Sequence, residues 1–354
     1  MKEEINHNIK QKILFYIKEN NFKSAEKLIL KALKKFPKSL FLNMSLANTM
    51  YAQDKYNESI KIYNEIILMD PNNAEAHLNV GNSYNELGNF NEAIKFYTLA
   101  NEKDKNLLNV NYNMGMTYYQ LKKIELALKH FKELDNNLSI ERLLQCQYQL
   151  KLYEEFNQNL EKISNNPHTS RLVASLSSHA AINLRQENKY NFCKNPLDFI
   201  YKEKIDSDII SELKKVIRNI EVNCRNQGLL YNGIQSSGNI FENSNPIFTT
   251  LQSSIYSIIE NYREKFNDKN CEFIQKWPKK DKIKGWFVKM KKDGFLKPHI
   301  HEIGWLSGVI YLKVPKKIEN QGMIEFGLDG HNYPKLHENF PSKIEEVSTN
   351  DIVI

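Results

Sequence analysis

The stretch "AEAHLNVGNSYNELGNFNEAIKFYTLANEKD", residues 74–104, reads as two amphipathic helices joined at "LGNF" (87–90). Apolar residues recur at helical spacing on either side, and the glycine–asparagine pair breaks the pattern as a turn. Working outward, the same pattern returns at a step of 34 residues, which links Ala25, Ser59, Ala93 and Ala127. That step also joins Pro37 to Pro71, Gly81 to Gly115, Tyr84 to Tyr118, and Tyr63 through Tyr97 to Phe131. A small residue at Gly81 or Ala93 lets paired helices approach closely, while Tyr84 and Tyr97 fill the space between them. Pro71 closes one unit, because proline cannot continue a helix interior.

This period and its residue pattern resemble the tetratricopeptide repeat, over about residues 6–141. "LLQCQYQLKLYEEFNQNLEKISNNP" (143–167) reads as a continuation in which the register slips, and "SRLVASLSSHAAINLRQENKY" (170–190) as a helix capping the stack. The resemblance implies an α-solenoid whose units share a continuous core and whose concave groove takes a protein or peptide partner. The alternative is an array that serves only as a scaffold or dimerisation arm.

Composition narrows the classes. A length of 354 residues exceeds one ordinary domain, which predicts two, at 1–190 and 191–354. The net charge of +7 comes from lysines spread along the whole chain. The basic clusters "KKFPK" (34–38) and "KWPKKDKIK" (276–284) lack the interleaved aromatic and glycine residues of an RNA-binding sheet, so no nucleic-acid partner is expected. Cys146, Cys193, Cys224 and Cys271 form no Cys-x-x-Cys pair and read as reduced, mostly buried thiols. With no signal-peptide core at "MKEEINHNIKQK" (1–12) and no bilayer-spanning stretch, the expectation is a cytoplasmic protein with no membrane partner.

After "CKNPLDFIYKEKI" (193–205) the period stops. Residues 208–222 and 247–266 read as amphipathic helices. "GWFVKMKK" (285–292), "WLSGVIYLKV" (305–314), "GMIEFGL" (322–328) and "DIVI" (351–354) read as strands separated by glycine or proline turns. The expectation is a multidomain α + β chain, in which the helical array is followed by a jelly roll with flanking helices.

Two of the chain's nine histidines, His299 and His301, flank Ile300 in "PHIHEIGWLSGVIYL" (298–312). On a strand, residues two apart share a face, so both rings would enter one space. Two readings stay open: surface or hydrogen-bonded core histidines, or half of a site for iron, zinc, copper or nickel.

"KMKKDGFLKPHIHEIGWLSGVIYLKVP" (289–315), with "GMIEFG" (322–327) and the upstream "NGIQSSGNIF" (232–241), resembles the 2-oxoglutarate- and Fe(II)-dependent oxygenases found behind tetratricopeptide arrays. The likeness covers about residues 195–354. It implies a double-stranded β-helix, Fe(II) and 2-oxoglutarate as cofactors, and His299 as the first iron ligand. Better-known relatives carry an aspartate where His301 stands, which leaves this site one unit more positive. Glu302 points to the other face of a regular strand, so His301 is kept as the ligand. Tyr311 is either a barrel aromatic or, by the resemblance, a hydroxyl that reaches the distal carboxylate of 2-oxoglutarate.

"STNDIVI" (348–354) resembles the start of the strand on which the family places its distal histidine, followed by the arginine that pairs with the 2-oxo acid. His331 and His337 fall in an expected loop and match neither position. The expectation is a fragment cut inside its catalytic domain, or a degenerate member, inactive as it stands, with an oxygenase as the full-length parent. The competing expectations are a repeat scaffold with a vestigial sheet, and a cupin-like barrel, for which Leu306 stands where a glutamate ligand belongs.

Overall fold

The structure, a computed structural model, describes residues 5–107, 109–134, 137–164, 170–190, 192–219, 224–225, 229–279, 282–299, 301, 304–315, 322–330 and 333–354. Glu302, His331 and the end of the helix expected at 208–222 lie outside these residues. The chain divides into two compact units, Met1–Cys146 and Gln147–Ile354.

The first unit is a run of antiparallel helix pairs: α1 (His7–Lys18) with α2 (Phe22–Leu33), α3 (Leu40–Ala52) with α4 (Tyr56–Met69), α5 (Ala74–Glu86) with α6 (Phe90–Lys103), and α7 (Val110–Gln120) with α8 (Ile124–Lys132). Helix α9 (Asn137–Gln149) runs across the division between the units. Asn6, Asn21, Ser39 and Asn73 begin helices by accepting a backbone N–H on the side chain, which satisfies one donor of the exposed first turn.

The small residues leave room for specific rings. A Cβ placed on Gly81 would lie 2.6 Å from the Tyr97 ring, and one on Gly115 would lie 2.7 Å from Phe131. Each glycine is the gap that its partner aromatic occupies. Asn20, Asp54, Gly88 and Lys122 all take positive φ, at 55°, 60°, 75° and 58°, at the turn inside each pair, one period apart. Only one of the four is glycine, so the other three hold a left-handed conformation that costs an L-residue about 1–2 kcal/mol. The next such turn is at Lys151, 29 residues beyond Lys122 rather than 34, which is the register slip expected there.

The core of this unit is a chain of overlapping clusters: Ile13, Ile29 and Leu42, then Ala47, Tyr63 and Ile66, then Ala93, Tyr97 and Val110. Helix α3 buries Leu42, Ser45, Leu46, Ala47, Thr49 and Met50, because it packs between the pairs on either side.

The second unit begins with α10 (Tyr153–Ser164) and α11 (Arg171–Asn183), followed by α12 (Ser207–Asn219), α13 (Pro246–Lys265) and the short α14 (Glu272–Gln275). Its strands are β1 (Lys202–Lys204), β2 (Cys224–Arg225), β3 (Leu230–Ser236), β4 (Val288–Leu296), β5 (Val309–Ile310), β6 (Met323–Gly327), β7 (Ser342–Glu346) and β8 (Asp351–Val353). They form three small antiparallel sheets, ordered β1-β8-β5, β2-β3-β4 and β6-β7. Among the described residues the result is a β-rich region of small sheets with flanking helices. Where a continuous strand is expected at 305–314, only Val309–Ile310 pairs. Strand β8 is the buried centre of its sheet, with Ile352 opposite both Glu203 and Ile310.

Candidate functional site

The two segments singled out by sequence come together at sheet β2-β3-β4. Ile234 stands opposite Lys289, and Gln235 opposite Val288. Before the strands pair, the Ser236 N–H donates to the Phe287 carbonyl at 3.0 Å, and the Gly285 N–H donates to Asn239 Oδ1 at 2.9 Å. A Cβ on Gly285 would strike the Phe241 ring at 2.6 Å, so glycine is what allows this close crossing.

Strand β4 ends at Leu296, and the histidines follow it rather than lie on it. Pro298 offers no N–H to a ladder, which accounts for the stop. The rings meet nevertheless. His299 Nε2 and His301 Nε2 are 3.0 Å apart, with ring centroids at 4.7 Å. A carbonyl only accepts, so the 2.9 Å contact between His299 Nδ1 and the Lys297 carbonyl places the proton on Nδ1. The Nε2 lone pair of His299 is thereby turned toward His301. The Trp286 ring lies 6.0 Å from His301. His301 is exposed and His299 half-buried, so the pair opens to solvent rather than into an enclosed interior. Partial desolvation, and secondarily the neighbouring His299, hold His301 below the ordinary histidine range.

Trp305 anchors the chain beyond the histidines. Its indole N–H donates to the Phe273 carbonyl at 3.2 Å, and its ring packs against Phe192 and Phe273. Tyr311 is held to β8 from both sides: its N–H donates to the Asp351 carbonyl, and its carbonyl accepts from the Asn350 N–H, both at 2.8 Å. Burial, with a contribution from Asp351, pushes its phenol up to about 12, so it stays a protonated donor at neutral pH.

Among the described residues no group of three or more His, Cys, Asp or Glu side chains gathers as a metal site. His337 Nε2 contacts the Ile182 carbonyl at 3.1 Å, fastening the loop before β7 to α11. Cys146, Cys193 and Cys271 are buried thiols, as expected.

Sequence reading missed a buried polar knot in this unit. Asn183 Nδ2 donates to the Tyr148 hydroxyl at 2.9 Å, which in turn donates to His179 Nδ1 at 2.8 Å. His179 also stacks on Phe340 with ring centroids 4.6 Å apart. Its only signal in the sequence was a histidine on the apolar face of a helix. Trp286 was missed as a neighbour of the histidine pair, because the residues between them leave the strand.

A family model described as "Putative 2OG-Fe(II) oxygenase" matches residues 284–354, and two tetratricopeptide repeat models match residues 62–95 and 108–135. No curated protein is significantly similar to the chain. Among solved structures, one from a functional characterisation of pilF of Pseudomonas aeruginosa is 17% identical, with a TM-score of 0.46, covering 60% of this chain and 92% of its own. A thermophilic tetratricopeptide protein of Thermus thermophilus is 16% identical, with a TM-score of 0.39, covering 48% of this chain and 96% of its own. A MamA structure from Desulfovibrio magneticus is 15% identical, with a TM-score of 0.34, covering 35% and 71%. The chain thus joins tetratricopeptide repeats to a C-terminal segment that matches a 2-oxoglutarate/Fe(II) oxygenase domain.

Proposed function

We propose that the protein is an oxygenase in which His299 and His301 hold Fe(II) and 2-oxoglutarate is the co-substrate, with the repeat array docking a protein. The observation that carries this reading is the 3.0 Å separation of the two Nε2 atoms. At that separation both Nε2 atoms would be close enough to be held by a single ion. The backbone carbonyl on His299 Nδ1 is also the kind of outer partner that fixes a ligating ring's tautomer and aim.

In this reading the small sheets belong to a double-stranded β-helix, and the oxygenase unit spans residues 191–354. Fe(II) with 2-oxoglutarate supplies the oxidising power to hydroxylate a C–H bond. His299 and His301 position the ion. Tyr311, kept protonated by burial, would donate its hydroxyl as a hydrogen bond to the far carboxylate of 2-oxoglutarate. With His299 protonated on Nδ1, His301 donates its Nε2–H to His299 Nε2, and it would hold an ion only as the other tautomer, with its proton on Nδ1. Two neutral ligands in place of a histidine–carboxylate pair leave the ion's charge less compensated, which predicts weaker retention of Fe(II) than a carboxylate site gives.

Anaerobic titration with Fe(II) and then 2-oxoglutarate tests the proposal. A visible charge-transfer band is expected in the parent chain and not in His299→Ala or His301→Ala. A parent chain that retains no iron would leave a docking scaffold with a non-catalytic sheet as the function.

A further inference from the structure

The first unit contains a cavity of about 250 Å³ lined by Tyr51, Asn82, Asn85, Glu86, Asn113 and Met116, with Tyr97 at its base. It opens between α3, α5 and α7, the first helices of three successive pairs. The volume falls below the roughly 300–1,000 Å³ of sites that take whole metabolites, and suits one long side chain.

Its hydrogen-bonding capacity is used unevenly. Asn82 Oδ1 accepts from the Tyr97 hydroxyl at 3.0 Å and from Asn113 Nδ2 at 2.8 Å, which fills both lone pairs. Asn85 Oδ1 accepts from Thr117 Oγ1 at 2.9 Å. The amides therefore brace the walls. Glu86 is different: it is exposed to solvent, its carboxylate receives only a long 3.5 Å contact from the Tyr51 hydroxyl, and among the described residues it has no cationic partner. Its charge is felt by its surroundings, because burial together with Glu86 pushes the Tyr51 phenol up to about 12. The pocket thus presents one solvated carboxylate, with no ion-pair partner among the described residues, beside two phenol rings, a combination that attracts an ammonium or guanidinium group.

We propose that this pocket receives a lysine or arginine side chain from a protein segment laid across α3, α5 and α7. The inference rests on the docking half of the function proposed above and is independent of the iron site. The chain as a whole carries +7, so a cationic peptide is repelled in general and binds only where a local anion overcomes that field.

Fluorescence anisotropy on the full chain tests it with three blocked, labelled octapeptides in which serine alternates with lysine, norleucine or glutamate. The lysine peptide should bind about tenfold tighter than the other two, and Glu86→Gln should lose about tenfold, the effect of removing one charge-assisted contact. Glu86→Asp should keep part of the affinity. An unchanged thermal melt in each variant excludes unfolding. Equal binding of the lysine and norleucine peptides, no binding of any of them, or a Glu86→Gln protein as good as the parent would overturn the proposal. The iron titration reads a different unit, so either result can fail while the other stands.

Discussion

In the repeat array the side chains that meet are close along the chain. Tyr97 donates to Asn82 fifteen residues away, and Gly81 yields its space to that same ring. In the β-rich unit they are distant: Asn183 binds the Pro334 carbonyl across 151 residues, and Lys202 pairs with Val353. The first arrangement repeats a local solution, and losing one unit's aromatic leaves a hole that the neighbouring units share. The second closes long loops first and recovers the entropy only when β8 is seated between β1 and β5.

The sharpest way to break this contrast is Tyr97→Ala. Removing a buried ring that fills the gap at Gly81 should cost about 3–5 kcal/mol, measured by urea denaturation. A loss below about 1 kcal/mol would mean that the ring is not what holds the pair together. Ile352→Ala, at the centre of the β1-β8-β5 sheet, should cost about 2–5 kcal/mol and speed proteolysis around residues 199–205, with no new cleavage in α1–α8.

Gly81→Ala should cost about 1–3 kcal/mol by overpacking, despite alanine's better helix propensity. Shrinking the ring in a Gly81→Ala/Tyr97→Leu double variant should recover part of that loss. Additive losses would contradict the paired role of the two residues.

The buried knot gives a pH signature confined to the second unit. Burial holds His179 at about 4, against an ordinary 6.5, so the fold favours its neutral form. Its contribution is complete above pH 6.5. It is lost as pH falls toward 4, because the unfolded chain takes up the proton first. In His179→Phe the slope of stability between those pH values should flatten, as read from denaturation midpoints at each pH. The smallest expected effects are at the turns: Lys122→Gly should stabilise by about 1 kcal/mol and Gly88→Ala should destabilise by about the same, since both residues hold positive φ.

The array was legible in advance because each unit solves its packing with residues one short step apart, so a 34-residue period carries the whole pattern. The pairing of Gly81 with Tyr97 and the slipped turn at Lys151 follow from that period. The helices at 207–219 and 246–265 were legible from amphipathic spacing. The sheets were legible only as candidate strands. Which strand pairs with which depends on contacts across about 150 residues, and proline and glycine at 298, 304 and 308 interrupt the strand expected to carry the histidines. The histidine pair was expected to share one face of a strand; the two rings meet instead beyond the end of β4, with His301 exposed, beside a backbone carbonyl at Lys297 that no side-chain pattern announces. The cavity at Glu86 was invisible for a related reason: its asparagines, at 82, 85 and 113, do not lie one period apart, and the carboxylate that gives it character occurs in one unit alone.

If the two imidazole nitrogens share one ion, X-ray absorption at the iron edge of anaerobically Fe(II)-loaded protein will show imidazole scattering from two rings, falling to one ring in His301→Ala. A spectrum showing only water and carboxylate oxygens, unchanged by that substitution, would contradict it.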